Sequence, residues 1–273
     1  MTIGDTQSDS RIMDADAGLS GLADPLASLR CALDHDELQI FCQPIRALRA
    51  GEDRFPMAEV LVRLREEEDA LLPPGDFLPV FEHYRMMCEL DCWVVRKTVE
   101  WIAAAPPGSI RCFCINVSSQ SLDDPALLEC LDAHLARHVV SPGQICLDID
   151  EADTLQRLDA TARFAAAVHA IGCKVVIDGF ARRSVSFEAL KALQPEYVKI
   201  DGAVVRKIGV SSVAQLKMKS IVRVGAVTGI GIIAECVEQQ AVIEQLTDLS
   251  VGYAQGFGIA VPQPIALGCI PPG

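Results

Sequence analysis

The sequence predicts an α/β fold, a TIM-like (β/α)8 barrel with one antiparallel strand, and three observations point there. Eight short apolar runs recur along the chain, helix-period segments separate most of them, and the first two runs lie too close together for a crossover helix. The 273 residues, 50% of them hydrophobic, suit one large domain and can bury a sizeable core. A net charge of −13 without any Lys/Arg-rich run argues against a nucleic-acid polymer as partner. A small anionic ligand would need local cations to hold it.

In chain order, residues 1–22 are polar and acidic, read as a disordered tail and not as a signal peptide. Residues 23–273 form the barrel domain. Asp24 as N-cap and Pro25 at the first helical position open a short helix through about Leu33. The strand-like runs are 38–45, 58–64, 110–117, 145–150, 174–178, 197–200, 231–235 and 252–256. The short, charged and Gly-containing link between the first two predicts a hairpin, which makes one strand antiparallel. The acidic run Glu66 to Asp69 reads as a solvated loop. Residues 76–103 read as two helices. Residues 154–172 read as one helix, with Leu155, Leu158, Phe164, Ala165, Val168 and Ile171 near a period of 3.6 and Gly172 as C-cap. The 11 cysteines contain no CxxC pair. Cys112 and Cys114 share a strand face, with Phe113 on the other. Buried reduced thiols are expected in preference to a disulfide or a zinc site, and hence a reducing, cytoplasmic compartment. No apolar run reaches the roughly 18–20 residues of a membrane span.

A barrel of this kind places its chemistry at the C-terminal ends of its strands. There the runs deliver Glu59 and Arg63, Asn116, Asp148 and Glu151, Asp178, Lys199 and Asp201, Glu235 and Glu238, and Gln255. Taken singly, a strand-end Asp is more often a cap than a ligand, and a lone Lys199 more often a snorkelling group. Together, a ring of carboxylates and an amide repels itself unless cations enter, and oxygen donors suit Mg²⁺ or Mn²⁺. A lysine and an arginine in the same mouth suit a phosphate. The combination reads as metal-assisted phosphodiester hydrolysis.

These segments resemble the EAL domain family. "EVLVR" (59–63) is similar to E-A-L-x-R, "FCQPI" to an aromatic-x-Q-P-I strand, and "FLPVFE" (77–82) to F-I-P-x-x-E. "INVSSQSL" resembles N-x-S, "DIDE" (148–151) E-x-T-E, "IDGF" D-D-F-G, "YVKID" K-I-D, "AECVE" A-E-G-V-E and "QGF" Q-G-Y/F. The resemblance implies cleavage of one phosphodiester of cyclic di-GMP with two Mg²⁺ or Mn²⁺ ions. It implies Glu59, Asn116, Asp148 and Asp178 as metal ligands. Lys199 would stand beside the attacking water, Asp201 would support that region, and Glu235 would serve the second ion. Gln43, Leu61, Arg63, Gln255, Gly256, Phe257 and Pro262 would hold the nucleotide, in part together with Asn116, Asp178 and Glu235. Glu151 would support the loop after the fifth run.

The departures from the family pattern gather at this chemistry. Gly179 replaces the second Asp of D-D-F-G, and Asp148 is one methylene shorter than Glu. "FARRSVS" (180–186) replaces F-G-x-G-Y-S-S, with Ala181 and Arg183 where glycines are expected, and Cys236 replaces the Gly of E-G-V-E. Sequence alone therefore predicts a nucleotide receptor or regulatory module with an impaired metal site and little or no hydrolysis. The alternatives are an active phosphodiesterase yielding the linear dinucleotide, or an interaction module with a vestigial pocket. Partners implied are cyclic di-GMP, a PilZ-type adaptor or other signalling protein, and a homodimer. In the vestigial case, Arg182 and Arg183 would mark a partner surface.

Overall fold

A computed structural model describes residues 25–35, 37–49, 51, 54–65, 71–105, 110–182 and 187–265. The expected acidic tail, Asp24, the run Glu66 to Asp69, and Arg183 lie outside the described residues. The strands are β1 (Leu38–Ala47), β2 (Met57–Arg65), β3 (Leu71–Leu72), β4 (Cys112–Asn116), β5 (Ile145–Asp150), β6 (Lys174–Phe180), β7 (Tyr197–Ile200), β8 (Gly231–Ala234), β9 (Tyr253–Ala254) and β10 (Gln263–Pro264). Eight of them close a ring in the order β1-β9-β8-β7-β6-β5-β4-β2, and β2 returns to β1. From β2 through β4 to β9 the neighbours are parallel, and β1 is antiparallel to both of its ring partners. The short strands β3 and β10 add antiparallel flaps to β2 and β1. The barrel with one reversed strand is thus the one predicted. The short link has the predicted consequence, since Leu38 to Ile45 pair with Leu64 to Met57 as a hairpin.

Alternation along each strand divides the core in two. Ile45, Met57, Cys112, Cys114, Cys146, Val176 and Ile233 point inward and fill the barrel floor, with Tyr197 and Tyr253 packed against them. The intervening residues, such as Val60, Phe113, Leu147, Ile177 and Val198, face outward into the larger cluster under the helices. Cys112 and Cys114 therefore share the inner face, with Phe113 opposite, as the pattern required.

The helices are α1 (Pro25–Asp34), α2 (Pro74–His83), α3 (Met87–Ala104), α4 (Pro125–His138), α5 (Glu151–Gln156), α6 (Leu158–Ile171), α7 (Phe187–Leu193), α8 (Gly202–Val205), α9 (Ser212–Thr228) and α10 (Gln240–Asp248). Two expectations need correction. The helix predicted over 154–172 is two, because Arg157 leaves helical geometry at φ −135°, ψ 45°. Its guanidinium is tied to the Ser119 carbonyl at 2.8 Å and to Asp123, and Leu155, placed on the apolar face by period, is 47% exposed. Secondly, nine described cysteines are free thiols but Cys42 is disulfide-bonded. Local spacing carries no sign of such a bond.

Candidate ligand and metal site at the barrel mouth

The alternation that fills the floor also builds the site. Continuing inward-facing positions toward the strands' C-terminal ends leads from Met57 to Glu59, from Cys114 to Asn116, from Cys146 to Asp148, and from Val176 to Asp178. The same step leads from Tyr197 to Lys199, from Ile233 to Glu235 and from Tyr253 to Gln255. On the antiparallel β1 it leads from Ile45 back to Gln43, which lies directly across from Glu59.

Lys199 is the hub. Its side chain is fully buried, with Nζ 3.1 Å from Glu59 Oε2 and in contact with Asp148 Oδ2. Glu59 also accepts from Asn116 Nδ2 at 2.8 Å and from Gln255 Nε2 at 2.5 Å. Gln255 donates to Gln43 Oε1 at 3.0 Å, and Gln43 to the Ala260 carbonyl at 2.9 Å. Two carboxylates thus share one ammonium, and Glu59 has the better share. Burial alone would raise its pKa, but the Lys199 charge and the amide donors outweigh it and hold it below the ordinary value. Asp148 lacks those amides. Burial pushes it up to about 8, with the Asp178 and Glu59 charges adding to burial and Lys199 opposing. Burial, then the charge of Asp178, also drives Glu235 well above its usual range.

Among the described residues, both Asp148 oxygens lack a conventional hydrogen bond. The mouth carries more carboxylate than one ammonium can neutralise, so its donor chemistry fits a hard divalent cation. Those carboxylates are nevertheless spread around Lys199. Among the described residues no three of them bring ligand atoms within 4.8 Å of one another.

The turn after β6 differs most from a chelating loop. The β6–β7 register shifts between Ile177 and Phe180. Gly179 there has φ +62°, and its N–H donates to Asp178 Oδ1 at 2.6 Å. A Cβ at position 179 would lie 2.9 Å from Arg182 Nη2 and 3.4 Å from Asp150 Oδ2. The Arg182 guanidinium therefore occupies the ground where a side chain at 179 would begin. It is anchored by Nε to Asp201 Oδ2 at 2.7 Å. Ala181 holds the left-handed φ of 67° that a glycine would adopt freely. It is clamped by Glu151 Oε2, which accepts from its N–H at 3.1 Å, and by Lys217, which donates to its carbonyl. Cys236 is likewise left-handed at φ 54°, so both described positions where non-glycine residues were flagged keep a glycine-like backbone.

Gln43, Glu59, Asn116, Asp148, Lys199 and Gln255 are thus joined in one network, with Asp178 and Glu235 acting on it through charge. Glu151 and Asp201 stand behind the β6 turn, and Asp201 also caps α8 by accepting from Ala203 N at 2.7 Å. Arg63 packs over Phe41, 5.6 Å from the ring centroid, at the outer end of the face that carries Leu61. Phe257 is 68% exposed, and Pro262 is half-buried just before β10. Gly256 is obligatory, since a Cβ would meet Val237 N at 2.3 Å. Arg182 pairs with Asp201 while its side chain stays 56% exposed. Asp150 was missed. It caps α5, accepting from Ala152 N at 2.6 Å, and with Arg182, Gly179, Glu151 and Leu155 it lines a cavity of about 200 Å³ beside the mouth. The D-x-D alternation of 148 and 150 was the available signal.

The EAL domain family matches residues 26–262. Cyclic di-GMP phosphodiesterase PdeB of Shewanella oneidensis is 32% identical over 239 residues, 87% of this chain and 28% of that protein. Cyclic di-GMP phosphodiesterase PdeF of Escherichia coli is 28% identical, over 87% of this chain and 31% of that one. The chain thus spans about a third of the length of these curated relatives. Among solved structures, a c-di-GMP complex of the PaMucR phosphodiesterase superposes with a TM-score of 0.80 at 25% identity, covering 89% of this chain and 98% of that one. The FimX EAL domain from Pseudomonas aeruginosa bound to c-di-GMP superposes with a TM-score of 0.78 at 24% identity, covering 88% and 97%, and supports the fold.

Proposed function

The chain belongs to the EAL domain family, and from that premise we propose that it is a cyclic di-GMP receptor that grips the nucleotide and cuts it little or not at all. The observation that carries the reading is the β6 turn. Where active relatives are expected to place a second chelating carboxylate, this chain has a left-handed glycine and an arginine guanidinium filling the adjacent space. A cation fixed there by Asp201 repels a second metal ion and attracts a phosphate. Gln43, Leu61, Arg63, Gln255, Gly256, Phe257 and Pro262 supply amide, cationic, apolar and aromatic contacts for the nucleotide. Glu59, Asn116 and Asp178, with Glu235, would hold one Mg²⁺ or Mn²⁺. A divalent ion held there would supply a Lewis acid and an activated water. Asp148 is withdrawn to Lys199 and is the weakest of the expected ligands. A bound state without turnover needs a reader, for which a protein partner such as a PilZ-type adaptor or a second copy of the chain is part of the proposal.

A phosphodiesterase of reduced efficiency is the second reading. It is favoured by the convergence of Glu59, Asn116, Lys199 and Gln255 and by relatives named phosphodiesterases. Titration calorimetry with cyclic di-GMP in the presence of a chelator tests the receptor. Micromolar or tighter binding without metal is expected. Absence of binding would remove the receptor and leave a partner-binding barrel with a vestigial pocket.

A further inference from the structure

Outside the mouth, among the described residues, only Glu100, His134 and His138 bring three metal-capable ligand atoms within 4.8 Å of one another. We infer that these side chains, on the neighbouring outer helices α3 and α4, form a second site that takes a zinc-class transition-metal ion and clamps the two helices together.

The placement follows from helix geometry. Positions 134 and 138 are four residues apart and lie one turn above the other on the same face of α4. Their rings stack with centroids 6.0 Å apart and planes 10° from parallel. α3 runs alongside, and the Cys92–Ala126 and Cys130–Cys92 contacts tie the two helices nearer their N-terminal ends. Each histidine keeps one ring nitrogen shielded from water and without a hydrogen-bond partner, Nδ1 of His134 and Nε2 of His138. Buried donors left unmatched on a common seam point to a missing partner. Two imidazoles and a carboxylate, with one position left for water, form a set that zinc uses. Ligand atoms on tetrahedral zinc stand about 3.3 Å apart, so the group needs to close by at most about 1.5 Å, within reach of rotation of half-buried side chains. Imidazole selects zinc, copper or nickel over magnesium. Arg96 and Arg137 also bring positive charge toward His134, which disfavours an ion held by charge alone. The site stands apart from the mouth and does not depend on the receptor reading.

The test is equilibrium dialysis of the intact chain against Zn²⁺, in excess Mg²⁺ to fill the carboxylate mouth. Uptake of one equivalent at micromolar or tighter affinity is expected, with a zinc-dependent rise in melting temperature. Glu100→Gln, His134→Gln and His138→Gln should each weaken uptake by more than the roughly 10–100-fold that loss of an outer partner costs, and abolish the rise. Co²⁺ bound to the unaltered chain should give the visible absorption of a four-coordinate ion, a readout that needs no variant to fold. Absent uptake, uptake unchanged in the three variants, or a cobalt spectrum of the aqueous ion would each overturn the site.

Discussion

Lys199 and the carboxylates around it set the behaviour of the mouth at the scale of single residues. Lys199→Met should leave Glu59 and Asp148 buried without a cation and destabilise the metal-free protein by about 3–5 kcal/mol, read as a lowered urea midpoint. Asp148 has the opposite pH sign to an ordinary salt-bridged carboxylate. Its folded pKa, pushed by burial to about 8, lies above the unfolded value, so the folded state holds the proton more tightly. The stability it contributes is present below about pH 4 and is lost as pH rises toward 8. In chelator, the urea midpoint should therefore fall less between mildly acid and mildly alkaline pH in Asp148→Asn than in the parent chain. An identical fall would contradict this. At the β6 turn, Gly179→Asp alone should restore no metal-dependent turnover, because the Arg182 guanidinium lies 2.9 Å from the new Cβ and stays in place as a competing cation. Gly179→Asp combined with Arg182→Ala removes the obstruction and the competing cation. Measurable Mn²⁺-dependent hydrolysis is expected from that double variant, and full activity from Gly179→Asp alone would refute the steric explanation.

Elements owe their position to a few buried polar ties. Asp91 of α3 is nearly fully buried, and its Oδ2 accepts from Ser118 N at 2.9 Å and from Ser121 Oγ at 2.7 Å, fixing the segment that follows Asn116. Burial raises its pKa against those two donors. Asp91→Ala should cost about 1–3 kcal/mol through two orphaned donors. Asp91→Asn, which keeps one accepting oxygen and drops the buried charge, should recover most of that loss in thermal melts. At this scale the sequence was legible where local pattern decides. Short apolar runs marked the barrel strands, and the short link after β1 announced the hairpin. It was not legible where a distant partner decides. The break at Arg157 depends on Ser119 and Asp123, some thirty-odd positions away in the chain, and the Cys42 disulfide left no local sign.

Across the whole molecule, closing the ring turns eight separate strand ends into one mouth. That is why Glu59, Asn116, Lys199 and Gln255, far apart in sequence, were readable as a set once the barrel order was known. The role of Arg182 was not readable, because it depends on the path of one turn. Among the described residues no helix is long and apolar enough to cross a membrane. If the mouth grips cyclic di-GMP, the ligand should stabilise the chelator-treated protein by about 2.7 kcal/mol at a hundredfold excess over Kd, seen as a higher melting temperature. The most direct measurement is chromatography of cyclic di-GMP after incubation with an equal concentration of the protein and Mn²⁺. Intact nucleotide, retained by the protein over many minutes, is the expected result. Linear dinucleotide formed at about 1 s⁻¹ or faster, the range of ordinary enzymes, and lost in Glu59→Ala, would contradict a barrel that holds its ligand without cutting it.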